Sequence, residues 1–275
     1  MRVVSVLILV VILSMSIPAG AQNVGQLGDS IVNYVDINGN KQGPWKKRYP
    51  NGSIAYEGYF FNNKPVGVFK RYHENGKLNT ILNCLKDTFK CKAELFYATQ
   101  KLAAEGNYYE QKKDSIWKYY AEDKSLISIE GFKHGQKHGE FRTFFPGGMQ
   151  VAEVQNYQDG IAHGIWRKYY LSGKVRMETK ISEGKRNGPF YVYYESGRVK
   201  VQGSYVNDMR DKTWIFYLKD RSGAETVKVN YTKGVPENKE ELEKLEQKEF
   251  KKYQEDRYKL EEPEETYRKL IRGSY

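Results

Sequence analysis

The chain is poor in the residues that do chemistry. Two cysteines and four histidines are spread through 275 residues. The cysteines, Cys84 and Cys91, are too few for a closed zinc site. His134 and His138 have a spacing that would place two ligands on one face of a helix, but they flank a glycine-containing turn, so that geometry is missing. His138 and His163 stand about one hairpin apart, ~10 Å by strand spacing, which is too far for one ion. No nucleophile elbow and no phosphate-binding loop occurs. The expectation is a protein without catalytic residues, metal or cofactor, and not an enzyme.

Long apolar runs are also missing after Ile17. Residues Arg2 to Ile17 form a short positive start and an apolar run, and Ala19 and Ala21 make the small-x-small pattern of a secretory cleavage site. Nothing later approaches the ~18 apolar residues of a membrane helix. No cysteine follows the run closely, which argues against a lipid-modified start. The reading is a signal peptide over 1–21 and a leader over 22–42, giving a soluble periplasmic or extracellular protein; a retained anchor is the alternative. Net charge is +11. The tail from Val235 onward is mildly acidic, so the region before it is basic. An exported basic chain favours an acidic protein, lipid headgroups or an envelope polymer over nucleic acid.

What is abundant is repetition. Bulky residues or their substitutes recur at Trp45, Phe69, Ala93, Trp117, Phe141, Trp166, Phe190 and Trp214, every 24 residues with one spacing of 25. Two residues before each stand Gly43, Gly67, Cys91, Ser115, Gly139, Gly164, Gly188 and Lys212. Seven after come Gly52, Gly76, Gln100, Lys124, Gly148, Gly173, Gly197 and Arg221. The third, fourth and eighth units are degraded, yet all eight keep register, which signals a repeat architecture. Each unit reads as an aromatic strand, a glycine turn, a β-rich strand and a polar turn. Both links are short, so successive strands pair antiparallel. The expected fold is mainly β: one elongated meander of about eight hairpins over 43–234, sixteen strands spanning ~75 Å at ~4.8 Å each, followed by a charged helical tail over 235–275.

The phrases "GQKHGEF" from Gly135 and "GIAHGIW" from Gly160 resemble the core of the MORN hairpin repeats. Trp166, Tyr169, Tyr170 and Gly173 match the bacterial variant of that repeat, often called a YwqK-like antitoxin family. The resemblance covers Gly43 to about Gly234. It implies an interaction or lipid-associated surface, and the antitoxin label implies neutralising a partner protein. Fold alone does not carry function across.

Cys84 and Cys91 bracket the link between the second and third hairpins. In an oxidising compartment they would bridge and close a short loop; two separate thiols are the alternative, because the α-carbons must approach within ~7 Å.

Strand alternation divides the residues between two faces. Anchors such as Trp166, and Tyr170 four residues on, are placed on one face. Opposite run a basic row, Lys46, Lys70, Lys118, Arg142 and Arg167, and an aromatic row, Tyr72, Tyr120, Tyr169, Tyr193 and Tyr217. Together these form a candidate binding stripe for an anionic, ring-containing or extended partner. The competing reading is structural: Glu57, Glu105, Glu153 and Glu178 stand twelve residues after anchors, where cross-strand pairs would absorb the charge. In the tail, Asn238 and Glu241 suggest a capping box, Leu242, Leu245, Phe250, Tyr253 and Leu260 an apolar stripe, and Pro263 a stop. The helix is expected to cover the last sheet edge, with a partner contact as the alternative.

The function expected is a non-enzymatic binding or scaffold protein of the cell envelope, with a protein partner. Binding of anionic lipid or polymer through the stripe is the alternative.

Overall fold

The structure, a computed structural model, describes residues 25–27, 30–86 and 88–256. The expected signal segment, Leu260 and Pro263 lie outside these residues. Eight hairpins follow one another as expected. Units one to four pair Lys41–Arg48 with Ile54–Phe61, Lys64–Tyr72 with Leu78–Cys84, Lys90–Phe96 with Leu102–Tyr109, and Lys112–Tyr120 with Leu126–Lys133. Units five to eight pair Gln136–Phe144 with Val151–Gln158, Ile161–Tyr169 with Val175–Ser182, Lys185–Tyr193 with Val199–Val206, and Met209–Tyr217 with Thr226–Thr232. Short strands Tyr34–Val35 and Val235–Pro236 flank the array, making eighteen antiparallel strands in one meander among the described residues.

The turns explain the regularity. Within the first seven hairpins, the seventh residue after the anchor lies at positive φ, and its N–H donates to the carbonyl three residues earlier, as Gly197 does to Tyr194. This is a type I turn closed by a left-handed residue. Lys124 holds the same conformation without being glycine (φ 72°). Between hairpins, both central residues have positive φ in pairs such as Glu183 and Gly184, the two-residue turn whose twist suits antiparallel strands. The second N–H of that turn reaches back one unit: Gly184 donates to Ala162 O at 2.9 Å, and Gly160 to Lys137 O at 2.8 Å.

The other margin is fastened in the opposite direction. The residue four after the anchor donates its hydroxyl to a backbone carbonyl of the next unit. Tyr49 reaches Tyr72 O (2.9 Å), Tyr97 reaches Tyr120 O (2.7 Å), Tyr170 reaches Tyr193 O (2.6 Å) and Tyr194 reaches Tyr217 O (2.6 Å). His73 stands in the same column, its Nε2 3.1 Å from Phe96 O, so it replaces a tyrosine in both position and bonding.

The anchors build the packed face. Trp117 and Trp214 are fully buried, Trp117 where the sheet has no second layer and Trp214 in the cluster that the helix covers. Each lies over a glycine of the preceding unit, Gly106 beneath Trp117 and Gly203 beneath Trp214. Neighbouring rings close around them: Tyr108 stands edge-on to Trp117 at 5.0 Å, and Tyr205 to Trp214 at 5.0 Å. The column is not uniform, since Trp45, Trp166 and Phe190 are only half-buried.

Cys84 and Cys91 are direct cross-strand partners, joined by a disulfide. Seven units have a positive-φ residue two before the anchor, and in six of them the register against the preceding unit shifts there; at Cys91 neither feature occurs. The bridge therefore sits where the repeat's bulge is replaced by regular pairing.

The edges are blunted. Asn33 donates its N–H to Pro44 O and accepts from the Lys46 N–H, while the far edge ends on Pro236, which has no N–H. Among the described residues no pairing joins the two end strands, so the sheet is open. The helix Lys239–Asp256 differs from expectation in two ways. It packs Leu242 and Leu245 on the Trp214 cluster of the anchor face, because that face's last rings have no ninth unit to cover them. The Asn238 side chain is spent on the sheet, accepting from Asn230 N–H and donating to Lys228 O at 2.8 Å each, so it does not cap the helix.

A methyl group on Gly203 would overlap the Trp214 indole. Gly203→Ala is expected to destabilise the fold by roughly 1–3 kcal/mol through overpacking, read by urea denaturation; an unchanged midpoint would contradict the close approach. Unreduced protein should show one intramolecular disulfide by mass spectrometry. Its reduction should lower stability by roughly 2–3 kcal/mol, and two alkylatable thiols would contradict the bridge.

Candidate functional site

The stripe residues lie on the face opposite the anchors. One level of that face can be followed from strand to strand by direct pairing: Lys46, Glu57, Lys70, Ile81, Glu94, Glu105, Lys118, Ile129, Arg142, Val154, Arg167, Glu178 and Tyr191. Beside it lies the tyrosine row.

Three glutamates organise the stripe. Glu57 binds Lys46 at 3.1 Å and accepts from the Tyr72 hydroxyl at 2.7 Å. Glu105 does the same with Lys118 (3.6 Å) and Tyr120 (2.8 Å), and Glu178 with Arg167 (3.1 Å) and Tyr193 (3.1 Å). Each clamp ties a cation and a phenol to one carboxylate across neighbouring strands. Arg142 pairs with Glu140 on its own strand. Among the described residues, Lys70 has no ion-pair partner, and the Tyr169 and Tyr217 hydroxyls have no carboxylate partner. Burial, followed by the adjacent glutamate, pushes Tyr72, Tyr120 and Tyr193 up to about 12.

Which tyrosines are clamped follows a rule that the single-column reading missed. The residue facing each aromatic comes from the preceding unit. Glu57, Glu105 and Glu178 precede Tyr72, Tyr120 and Tyr193, whereas Ile81 and Ile129 precede Phe96 and Phe144. Polar is set against polar and apolar against apolar. Reading positions across adjacent units, instead of down one column, would have exposed this pattern.

Glu153 is a correction. The twenty-fifth residue of unit five lies in the turn Pro146–Gln150, and a one-residue insertion turns every later side chain of that strand to the other face. Glu153 therefore pairs with Thr143 and Lys168 on the anchor face and accepts the Trp166 indole N–H at 2.6 Å. Val154 takes its place between Arg142 and Arg167, which leaves Tyr169 without a glutamate.

A second set of cations was also missed. Four residues before the anchors, Lys41, Lys113, Lys137, Arg186 and Arg210 lie over the packed rings at 4.0–4.9 Å from their nearest centroids; Lys41 sits 4.6 Å from Trp45 and Lys113 4.9 Å from Trp117. These cation–π contacts roof the anchor face. Burial lowers the Lys41 and Lys113 ammonium pKa values. Among the described residues no group of three or more His, Cys, Asp and Glu side chains is placed to hold a metal ion. His138 instead faces Asp159 at 3.4 Å, and no helix among the described residues is long and apolar enough to cross a membrane.

Comparison with known proteins agrees with the fold. Four segments, residues 41–63, 65–83, 162–180 and 186–207, match the MORN repeat variant, which supports a MORN-repeat protein. They fall on units one, two, six and seven. Units three, four and eight carry the substitutions at Cys91, Ser115 and Lys212, and unit five the inserted residue. No curated protein matches the sequence. Among solved structures, the crystal structure of TcdB2-TccC3 shares 12% identity over 74% of this chain and 15% of its own, with a TM-score of 0.21. The pore of the Photorhabdus luminescens Tc holotoxin, carrying a TccC3 mutation, shares 13% over 74% and 14%, with a TM-score of 0.17. The chain thus spans about one seventh of the length of these proteins.

The clamps make a signed prediction. The native state holds the Tyr193 proton more tightly than the unfolded chain, whose phenol titrates near ~10. This contribution is complete below that pH and is lost as pH rises through about 12. Glu178→Gln should move Tyr193 part of the way back, because burial remains, as read by tyrosine ring carbon shifts. An unmoved Tyr193 would contradict the clamp.

Proposed function

We propose that the chain is an exported, non-enzymatic scaffold whose stripe face binds a protein partner in the cell envelope. The observation that carries this reading is the state of the stripe. Three of its five cations are committed to lysine or arginine–glutamate–tyrosine clamps, so the face presents fixed donors, acceptors and rings of mixed sign. Pre-organised mixed charge with half-buried aromatics suits a complementary protein surface, where electrostatics select the partner and aromatic groups anchor it. The MORN-type repeats support a binding role of this kind. Neutralising the partner, in the manner of an antitoxin or immunity protein, is the finer form of the proposal and rests on the sequence resemblance alone.

A second reading, binding of anionic lipid or an acidic envelope polymer, draws on the net charge of +11 and on unpaired Lys70. Bare cations would serve it better than clamped ones.

The combined substitution Lys118→Gln, Arg142→Gln and Arg167→Gln separates the two. Exposed ion pairs contribute only ~0–1 kcal/mol each, so the melting temperature should change little. Crosslinking in envelope extract should give one discrete protein adduct with the wild type and lose it with the variant. An adduct that persists in the variant would remove the stripe from the interface. Binding to anionic vesicles or an acidic glycan that vanishes both in the variant and at high salt would favour the second reading.

A further inference from the structure

The anchor face has its own charged recess at the N-terminal end, in units one and two. It has a volume of about 810 Å³ and is lined by Lys47, Arg48 and Arg71, one carboxylate, Glu74, and the polar side chains of His73 and Asn79. Tyr56 forms its floor. Lys47 and Arg71 are the direct cross-strand neighbours of Tyr56 on either side, about 10 Å apart at two strand spacings, which their long side chains can span from both sides.

These two cations differ from the others on this face. Lys41, Lys113, Lys137, Arg186 and Arg210 are laid over rings, and Lys168 is paired with Glu153. Lys47 and Arg71 are exposed and, among the described residues, have no ion-pair partner. The comparison with unit six is direct. There the strand neighbour of Lys168 is Glu153, a carboxylate that neutralises it. In units one and two the residue between the cations is a tyrosine, so their charge is uncompensated at short range. Their field reaches the floor: burial raises the Tyr56 pKa while Lys47 and Arg71 oppose the rise. The rim is held in place, since His73 Nε2 lies 3.1 Å from Phe96 O and the Asn79 amide lies against the same ring at 3.2 Å. Arg48 donates to Gly52 O at 2.8 Å, a neutral acceptor that leaves its charge in the recess.

We propose that this recess binds an oxyanion, a carboxylate or phosphate, carried on a body that lies over the Tyr56 ring between Lys47 and Arg71. The guanidinium supplies a planar fork for two oxygens, the ammonium a point charge, and the phenol ring a flat contact for the ligand's body. The cations of the site are on the face opposite the stripe's basic row, with Tyr72 of the stripe at the margin of the recess, and the proposal does not depend on the stripe's role.

The test uses the mature chain, with glucuronate and inorganic phosphate as anionic probes and methyl glucoside as the neutral one, read on the assigned Tyr56 ring resonance. Both anions, or glucuronate alone, should shift that resonance saturably, whereas the glucoside should not. Glucuronate alone would narrow the ligand to a ring-borne carboxylate, and both together would leave the oxyanion class. The double variant Lys47→Gln, Arg71→Gln should bind at least tenfold more weakly; it relieves like-charge repulsion, so its melting temperature should hold. The stripe variant Lys118→Gln, Arg142→Gln, Arg167→Gln should bind like the wild type. Equal responses from the wild type and the double variant would overturn the proposal, and so would a glucoside response matching glucuronate or no response to either anion.

Discussion

Everything in this ribbon depends on fastening one hairpin to the next. A lone β-hairpin is marginal in water, and a single-layer sheet has no opposing layer to hold its register. The chain answers at both margins. A tyrosine or histidine reaches forward to the next unit's carbonyl, and a turn N–H reaches back to the preceding unit's. Between them, at Phe69, Trp117 and Trp214, the anchor ring sits over the preceding unit's glycine, which places a large apolar group where a side chain would otherwise stand. Each device crosses a unit boundary, so no hairpin is complete by itself. This is why the period is strict while the exposed positions vary.

Much of this was legible in the sequence because the period was. The anchor column, the turn glycines and the eight units follow from residue spacing alone. The faces around Trp166 follow from strand alternation, and His73 was recognisable as an aromatic substitute. What escaped notice lay between columns. The glutamate–tyrosine clamps join positions fifteen residues apart in neighbouring units. Glu153 was read on the stripe because counting from Phe141 ignored how an added turn residue flips the following strand. The cations over the rings belong to a column of mixed composition, with Pro65, Phe89 and Ala162 among its members, so it has no signature of its own. The helix was read from its formers, but its seat was not, because the apolar surface it meets exists only after the last rings have stacked.

The two faces divide the work. The anchor face spends its aromatic surface on packing and roofs the rings of five units with its own cations, leaving a charged recess at the N-terminal end. The stripe face spends its charge on clamps that hold side chains outward in fixed positions. Stability and recognition thus draw on the same residue types, tyrosine and lysine or arginine, separated only by the alternation of the strand.

The forward staple is absent at two adjacent units. Ala121 and Phe145 stand where the other units that have a successor carry a tyrosine or histidine, and neither side chain has a hydroxyl or ring nitrogen to offer. There the junctions from unit four to six lack this staple and keep the turn N–H groups, the ring contact of Phe132 with Phe141, and the bonds of Glu153 to Trp166 and Lys168. In a linear array, where each element feels only its neighbours, such junctions set how far cooperativity extends. The centre of the ribbon, between the block that carries the disulfide and the block sealed by the helix, thus relies on strand pairing, ring contacts and Glu153 where the flanking units add a hydroxyl or imidazole bond.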